Sequence, residues 1–112
     1  MLSVELSKSE ELELEMDMFQ EHAERAAGLL KHMANKNRLM ILCSLVGKEM
    51  SVSDLNDRIP LSQSALSQHL ASLRGAGLVS TRREAQTIFY TLCGDEVVQV
   101  IAVLKSIYCP DK

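Results

Sequence analysis

The stretch from residue 60 to residue 79, PLSQSALSQHLASLRGAGLV, constrains this chain most, because it specifies both ends of one helix. Ser62 stands where a helix N-cap belongs, since its hydroxyl can accept a hydrogen bond from an amide of the first turn. Gly77 can adopt the left-handed conformation that ends a helix, and Leu78 is then placed to touch Leu73 across the cap. The sequence therefore predicts a helix between these two signals.

The predicted helix has two contrasting faces. Leu66, Leu70 and Leu73 recur at positions i, i+4 and i+7, so they form one narrow apolar seam. The opposite face has small or amide side chains and no acidic residue: Ser64, Ser67, Gln68 and Ala71. Ser, Gln and His side chains can hydrogen-bond base edges, and their neutrality lets a helix approach phosphates without repulsion. The face predicts a DNA-reading helix, and a Ser- and Gln-rich solvent face is the alternative.

Six polar side chains are the candidate DNA contacts of this helix. They are Ser62, Gln63, Ser64, Ser67, Gln68 and His69. For His69 two roles stay open, because an imidazole here can contact a phosphate or pack against the preceding helix.

A shorter helix precedes the reading helix. Ser51 with Asp54 three residues later resembles a capping box, which opens a helix over SVSDLNDRI. Pro60 disfavours helical backbone at Ile59, so the helix ends there. A short helix, a tight turn and a longer Ser- and Gln-rich helix form the pattern of a helix-turn-helix, whose second helix reads DNA.

Two further helices are predicted upstream. Asn35 can cap the segment NKNRLMILCSLVG, which Gly47 ends, with four residues facing inward: Leu39, Leu42, Cys43 and Val46. The first helix is predicted to begin near Glu10. Its apolar residues recur at spacings of three and four: Met16, Phe19, Ala23, Ala26, Leu30 and Met33. That seam fits either a coiled-coil-like dimer contact or intramolecular core.

Length and charge limit the class of protein. A chain of 112 residues supports one small domain, and we expect residues 1–12 to be a flexible acidic segment before a single domain over residues 13–112. The net charge of −3 is uneven, since residues 1–24 are strongly acidic and the remainder carries more basic than acidic residues. No apolar run of about 18 residues exists, and three widely spaced cysteines do not make a secreted disulfide framework. We expect a soluble, cytoplasmic protein.

After Gly77 the periodicity changes from 3.6 to 2. Two β-rich runs separated by Glu84, Ala85 and Gln86 predict a hairpin. Its candidate DNA contacts lie near the tip: Arg82, Arg83, Gln86 and Thr87. Adjacent arginines there can reach phosphates or a narrow minor groove, and a solvated charged tip is the alternative.

The last predicted helix, DEVVQVIAVLKSIYC, is capped by Asp95 and closed by Pro110. It is apolar on much of its circumference, so in so small a domain its second apolar side predicts a contact with another subunit. The candidate dimer contacts lie on the first and last helices: Phe19, Ala23, Ile101, Leu104 and Tyr108.

The predicted order is four helices, a β-hairpin wing and a final helix. This order resembles the ArsR/SmtB family of dimeric winged-helix transcriptional repressors, and so do the runs LSQSALSQHLASLRGAGLV and TRREAQTIFYTL. The resemblance is closest to the HlyU/BigR/SqrR/YgaV branch, whose members are reported as thiol or persulfide sensors instead of metal sensors. The resemblance implies a mainly α winged helix-turn-helix fold, a dimer through the first and last helices, and binding to a pseudo-palindromic operator in double-stranded DNA.

The resemblance also assigns a redox switch to Cys43 and Cys109, which correspond to the cysteines that this branch joins within one subunit. The alternatives are a small core residue for Cys43 and an incidental surface thiol for Cys109. Cys93 has no recognised counterpart. No metal site is expected, because SVSDLND replaces the family's thiolate motif and no histidines or cysteines are paired at short spacing.

We therefore predict a regulator, acting as a repressor, that is switched by oxidation or persulfidation of this pair. The first alternative, which the resemblance to this branch allows, is an activator that displaces a silencing protein from promoters. The second is a protein-interaction module that uses the acidic first helix. No enzyme and no cofactor are expected, since the chain lacks a Gly-rich phosphate loop, paired carboxylates in an apolar context, and a nucleophile with a nearby base.

Overall fold

The computed structural model describes residues 7–110, and the chain divides into two compact units, Met1–Met33 and Ala34–Lys112. The elements follow in the order α1 (Lys8–Gln20), α2 (Ala23–Met33), α3 (Lys36–Ser44), β1 (Met50–Ser51), α4 (Val52–Arg58), α5 (Gln63–Gly75), β2 (Val79–Glu84), β3 (Thr87–Leu92) and α6 (Glu96–Tyr108). None of the helices in the described range is long and apolar enough to cross a membrane.

The first unit contains two helices where the sequence analysis predicted one. α1 begins after Ser7, which forms a capping box with Glu10, so the helix starts slightly before the predicted residue. Residues 1–6 of the predicted flexible segment lie outside the described residues. The helix ends at a tight turn in which the His22 amide donates to the Phe19 carbonyl at 2.9 Å.

The prediction of one continuous first helix was wrong, and the apolar residues of α1 also do not lie along one side of it, for a reason that its sequence contains. In ELELEMDMF the apolar residues alternate with acidic ones, so they are distributed around α1 instead of along one side. α1 consequently has no buried residue, and Met16 and Phe19 are 68% and 61% exposed. Ala23, in α2, is half-buried.

The second unit begins with predicted caps that the structure confirms. The Asn35 side chain accepts hydrogen bonds from the amides of Asn37 and Arg38 and so opens α3. α3 ends earlier than predicted, at Ser44 with Leu45 as its C-cap, and Gly47 has a φ of +69° in the turn that follows. Ser51 and Asp54 form the predicted capping box of α4, with both hydrogen bonds at 3.1 Å.

α5 has both of its predicted ends. The Ser62 hydroxyl accepts from the Ala65 amide at 3.2 Å. At the other end Gly77 has a φ of +78°, and its amide donates to the Arg74 carbonyl, while the Leu78 amide donates to the Leu73 carbonyl at 2.9 Å. These two bonds make a Schellman cap, which satisfies carbonyls that the helix leaves unpaired.

The hydrophobic core of the second unit draws on α3, α4, α5, β2 and α6. Its fully buried side chains are Ile41, Leu42, Leu45, Leu55, Ile59, Leu66, Leu70, Leu73 and Val97. In α3 the inward residues were only partly predicted: Leu42 is buried, whereas Leu39, Cys43 and Val46 are half-buried. Ile41 and Leu45 are buried instead, so the inward face of α3 is rotated from the predicted one.

Three antiparallel strands form a small sheet in the order β1-β3-β2. The hairpin of β2 and β3 was predicted, but β1 was not, since two residues carry no readable alternation. The predicted three-residue loop is a two-residue turn, because Glu84 pairs with Thr87. Ala85 takes the first turn position with a φ of +55°, a conformation that costs a residue with a Cβ about 1–2 kcal/mol.

α6 starts where predicted but without the predicted cap. Asp95 occupies the N-cap position in a helical conformation and makes no side-chain cap hydrogen bond. Its carboxylate instead accepts a hydrogen bond from the Gln99 side chain at 3.1 Å, and its amide donates to the Glu96 carboxylate. These two side chains therefore order the helix start in place of the cap.

Candidate nucleic-acid interface

The turn between α4 and α5 is held by a side chain that the sequence analysis did not identify. The side-chain amide of Asn56 donates to the Leu61 carbonyl at 2.8 Å, and the backbone amide of Leu61 donates to the Ile59 carbonyl. Leu55 and Ile59 are buried at the end of α4. The turn therefore fixes the direction in which α5 leaves α4.

α5 has the two faces that its sequence predicted. Leu66, Leu70 and Leu73 are all 0% exposed. The other face is exposed over at least two turns: Gln63, Ser64, Ser67, Gln68 and Ala71. No acidic side chain occurs in the first turn of α5, so the partial positive charge of the helix N-terminus is not neutralised within the helix.

His69 lies between these two faces. Its ring is half-buried, and its Nδ1 atom accepts a hydrogen bond from Nε of Arg38 in α3 at 3.4 Å. The structure places His69 beside Arg38 of α3, which is not the helix directly before α5, so the phosphate contact and the packing on the preceding helix both stay predictions. No local spacing could reveal Arg38 as its partner.

Arg82, on the wing, is held by two carboxylates, one from Glu84 on the same strand and one from Glu49 just before β1. Its Nε and Nη2 atoms donate to the two carboxylate oxygens of Glu49, and its Nη1 donates to Glu84, each at 2.7 Å. The guanidinium also lies 4.7 Å from the ring centroid of Phe89, its pairing partner on β3. Donation from Arg82 lowers the pKa of the Glu49 carboxyl, and the two carboxylates raise the pKa of Arg82.

Arg83 has different surroundings from Arg82. It pairs with Ile88 across the hairpin, and since side chains alternate along a strand it lies on the opposite face from Arg82. Arg83, Gln86 and Thr87 are all exposed. The ion pairs in residues 7–110 join Arg82 to Glu49 and Glu84 and do not include Arg83. Its charge is therefore available to a ligand.

α6 has a buried side and an exposed apolar side. Val97 and Ile101 are 0% and 2% exposed, so Ile101 has almost no surface left to bury against a second chain. Leu104 is half-buried. Val103, Ile107 and Tyr108, spaced along the outer side, are 57%, 59% and 78% exposed. The apolar surface of α6 that is available for a partner therefore lies mainly at these three residues.

The three cysteines are free thiols with unequal access. Cys109 is exposed at the C-terminal end of α6, where its amide donates to the Lys105 carbonyl. Cys43 in α3 and Cys93 after β3 are half-buried. Within residues 7–110 no three His, Cys, Asp or Glu side chains are grouped so that they could hold a metal ion.

Known proteins with this arrangement are bacterial regulators. Residues 35–81, from the cap of α3 into β2, match the family model described as bacterial regulatory protein, arsR family. The transcriptional activator HlyU of Vibrio cholerae is 52% identical over 96 residues, which cover 86% of this chain and 89% of that protein. Nodulation protein NolR of Rhizobium meliloti is 55% identical over 91 residues, with 81% and 75% covered.

Solved structures show the same fold. Reduced HlyU from Vibrio cholerae superposes with a TM-score of 0.77 at 54% identity, covering 84% of this chain and 98% of that one. The transcriptional repressor BigR from Xylella fastidiosa gives a TM-score of 0.79 at 39% identity, covering 83% and 95%. The predicted winged helix-turn-helix is confirmed. The chain belongs to the ArsR family, and it is a transcriptional regulator, not an enzyme.

Proposed function

We propose that this protein is a cytoplasmic homodimer that binds a pseudo-palindromic operator in double-stranded DNA and represses transcription until its thiols are oxidised. The exposed, uncharged face of α5 is the observation that carries the DNA-reading part of this proposal. A major groove admits one helix, and amide and hydroxyl side chains can hydrogen-bond its base edges. Ser62, Gln63 and Ser64 lie at the N-terminal end of α5, which is the end that enters the groove in helix-turn-helix proteins.

Gln68 and Ser67 are the proposed base-reading residues. Replacing either by Ala should weaken operator binding by about 1–3 kcal/mol if a paired base contact is lost, with little change on random duplex. Binding of both duplexes is measured by fluorescence anisotropy. Gln99→Ala is the matched control, because Gln99 is an exposed glutamine on α6. Equal losses on operator and random DNA would refute base reading.

Arg83, Gln86 and Thr87 on the wing are the proposed backbone contacts, and Arg82 is considered separately below. Each phosphate that a basic residue neutralises contributes about 0.9 to the slope of log K against log salt concentration. Arg83→Ala should therefore lower that slope by about one phosphate contact on every sequence. Arg58, an exposed arginine at the end of α4, provides the control variant. An unchanged slope would remove Arg83 from the phosphate contacts.

A homodimer is proposed because α6 and α1 present apolar side chains that are exposed in the single chain. The exposed ones are Val103, Ile107 and Tyr108 on α6 and Phe19 on α1, and the half-buried Leu104 on α6 and Ala23 on α2 complete the proposed contacts. A two-fold dimer presents two reading helices, so its operator has two half-sites about one helical turn apart. Footprinting of the region upstream of the gene tests both the symmetry and the spacing.

The proposed switch uses Cys109 and Cys43. Cys109 is exposed and so meets an oxidant first; with peroxide its thiolate becomes a sulfenic acid, and the Cys43 thiol then attacks that sulfur and releases water. With an organic persulfide, Cys109 accepts the outer sulfur and releases a thiol; attack by Cys43 then forms the disulfide and releases hydrogen sulfide. A structure of HlyU described as reduced supports redox chemistry in a similar protein.

Peptide mass mapping tests the switch. We expect a Cys43–Cys109 link after treatment with peroxide or persulfide, together with weaker operator binding that a dithiol reverses. Cys43→Ser and Cys109→Ser should bind DNA normally and lose the response, and Cys93→Ser should keep it. If the double variant still releases DNA on treatment, the pair is not the switch.

Two alternatives concern what binding accomplishes. HlyU is named an activator and BigR a repressor, so in vitro transcription from the operator, with and without a bound silencing protein, decides the direction. An interaction module that uses the acidic first helix is supported by exposed apolar and acidic residues of α1. Such a module should show little affinity for duplex DNA at any salt concentration.

A further inference from the structure

Glu49, Arg82 and Phe89 form an arch across the three-stranded sheet. Glu49 immediately precedes β1, Phe89 lies on the middle strand β3, and Arg82 lies on β2. The paired hydrogen bonds between Arg82 and Glu49 therefore span the middle strand, with the guanidinium 4.7 Å from the Phe89 ring centroid. Residues 33 positions apart in sequence are joined in this way.

We propose that this arch positions the wing relative to the reading helix, and that Glu49 and Arg82 strengthen DNA binding without contacting DNA. The inference rests on the proposed function, because it assumes that α5 and the wing bind one duplex together. The proposal assigns different roles to the two adjacent arginines, since Arg83 binds phosphate and Arg82 holds the wing.

The charges around Arg82 oppose a phosphate contact. One guanidinium faces two carboxylates, from Glu49 and Glu84, so this group of three side chains has a net charge of −1. A phosphate that approached Arg82 would have to displace a two-bond carboxylate partner and would then lie beside it. Arg83 has no such neighbours in the described ion pairs, and it is therefore the better phosphate ligand of the two.

The arch is connected to the helix-turn-helix through β1. β1 has only two residues, and the second of them, Ser51, is also the N-cap of α4. Whatever fixes Glu49 to the hairpin therefore fixes the wing to the beginning of α4. α4 in turn leads through the Asn56-bonded turn into α5. Paired arginine–carboxylate bonds are directional, so they set an angle as well as a distance.

Glu49→Gln tests the proposal through the sign of its effect. Removing a negative charge near a polyanion should by itself tighten DNA binding. Loss of the arch should instead weaken binding on all sequences by about threefold to tenfold, because the wing would then have to be ordered during binding while the number of its phosphate contacts stays the same. Glu84→Gln is the matched control: it removes the same charge from the same guanidinium but keeps the bonds between Arg82 and Glu49, so its binding should be unchanged or tighter.

Arg82 variants provide a second test, because their affinities and salt slopes should differ depending on whether Arg82 holds the wing or contacts a phosphate. Arg82→Lys keeps the charge but cannot form the paired bonds, so it should weaken binding about as much as Arg82→Ala. Both variants should keep the salt slope of the wild type, and adding Glu49→Gln to Arg82→Ala should cause no further loss. Circular dichroism melts of each variant check that the fold is retained.

Two results would overturn the arch. One is a Glu49→Gln variant that binds as tightly as the wild type or more tightly. The other is an Arg82→Ala variant whose salt slope falls by about 0.9 while Arg82→Lys binds normally, because that pattern identifies a phosphate contact. The proposed function fails separately, if the wild-type protein has no salt-dependent affinity for duplex DNA.

Discussion

Ile107 and Ile101 lie on the same helix, α6, and should respond in opposite ways to substitution. Ile107 is 59% exposed in the single chain. Since full burial of an isoleucine side chain is worth about 1.5–3 kcal/mol, covering the exposed part of Ile107 should contribute about 1–2 kcal/mol, and twice that in a two-fold dimer. Ile107→Asp loses this contribution and adds an unpaired carboxylate in an apolar contact. The dimer dissociation constant should therefore rise about a thousandfold or more.

Ile101→Ala is the opposite case, because this side chain is only 2% exposed. Truncating it leaves a cavity and should lower the free energy of unfolding by about 2–5 kcal/mol, with the dimer constant nearly unchanged. Sedimentation equilibrium measures association, and urea unfolding at several protein concentrations separates it from protomer stability. If Ile107→Asp stays dimeric at micromolar concentration, the exposed side of α6 is not the interface, and the reasoning from its exposure fails.

Three other variants test the fold and the wing. Leu70→Ala should lower the free energy of unfolding by about 2–5 kcal/mol in a urea melt, since Leu70 is 0% exposed. Ala85→Gly should leave the hairpin equally or more stable, by up to about 1 kcal/mol, because glycine relieves the positive φ; a lower melting temperature would contradict this. The lowered pKa of Glu49 means that its pairing stabilises the fold fully above the ordinary value of 4.5 and is lost as pH falls through the lower folded-state pKa. The difference in melting temperature between wild type and Glu49→Gln should therefore shrink on acidification.

Features fixed by neighbouring residues were predictable from the sequence. The caps at Asn35, Ser51, Ser62 and Gly77 each depend on atoms within a few residues, and all four are found. The apolar seam of α5 was also predictable, because helical spacing alone places three leucines on one side. The resemblance to the ArsR family then supplied the order of elements that local signals cannot give.

Features that depend on distant residues were not predictable in this way. Arg82 was selected for its charge, but its partner Glu49 lies 33 residues away, and only the folded sheet brings them together. Arg38 and His69 are likewise 31 residues apart. The exposure of α1 had a local signal, the alternation of acidic and apolar residues, which the search for spacings of three and four overlooked, whereas the break between α1 and α2 had no such signal.

The contacts of α3 suggest how a thiol bridge could reach both DNA-binding elements, which gives a last prediction. α3 carries Cys43, its Arg38 donates to His69 of the reading helix, and the turn after it leads to Glu49 of the arch. A bridge that displaces α3 should therefore move α5 through the bond between Arg38 and His69. Arg38→Ala should reduce the ratio of operator dissociation constants between oxidised and reduced protein, while Arg58→Ala should leave it unchanged. Both variants remove one positive charge and so lower the affinity of the oxidised and the reduced protein alike. That common loss cancels when the dissociation constant of the oxidised protein is divided by that of the reduced protein. If Arg38→Ala responds to oxidation as strongly as the wild type, the switch acts through the dimer geometry and not through this hydrogen bond.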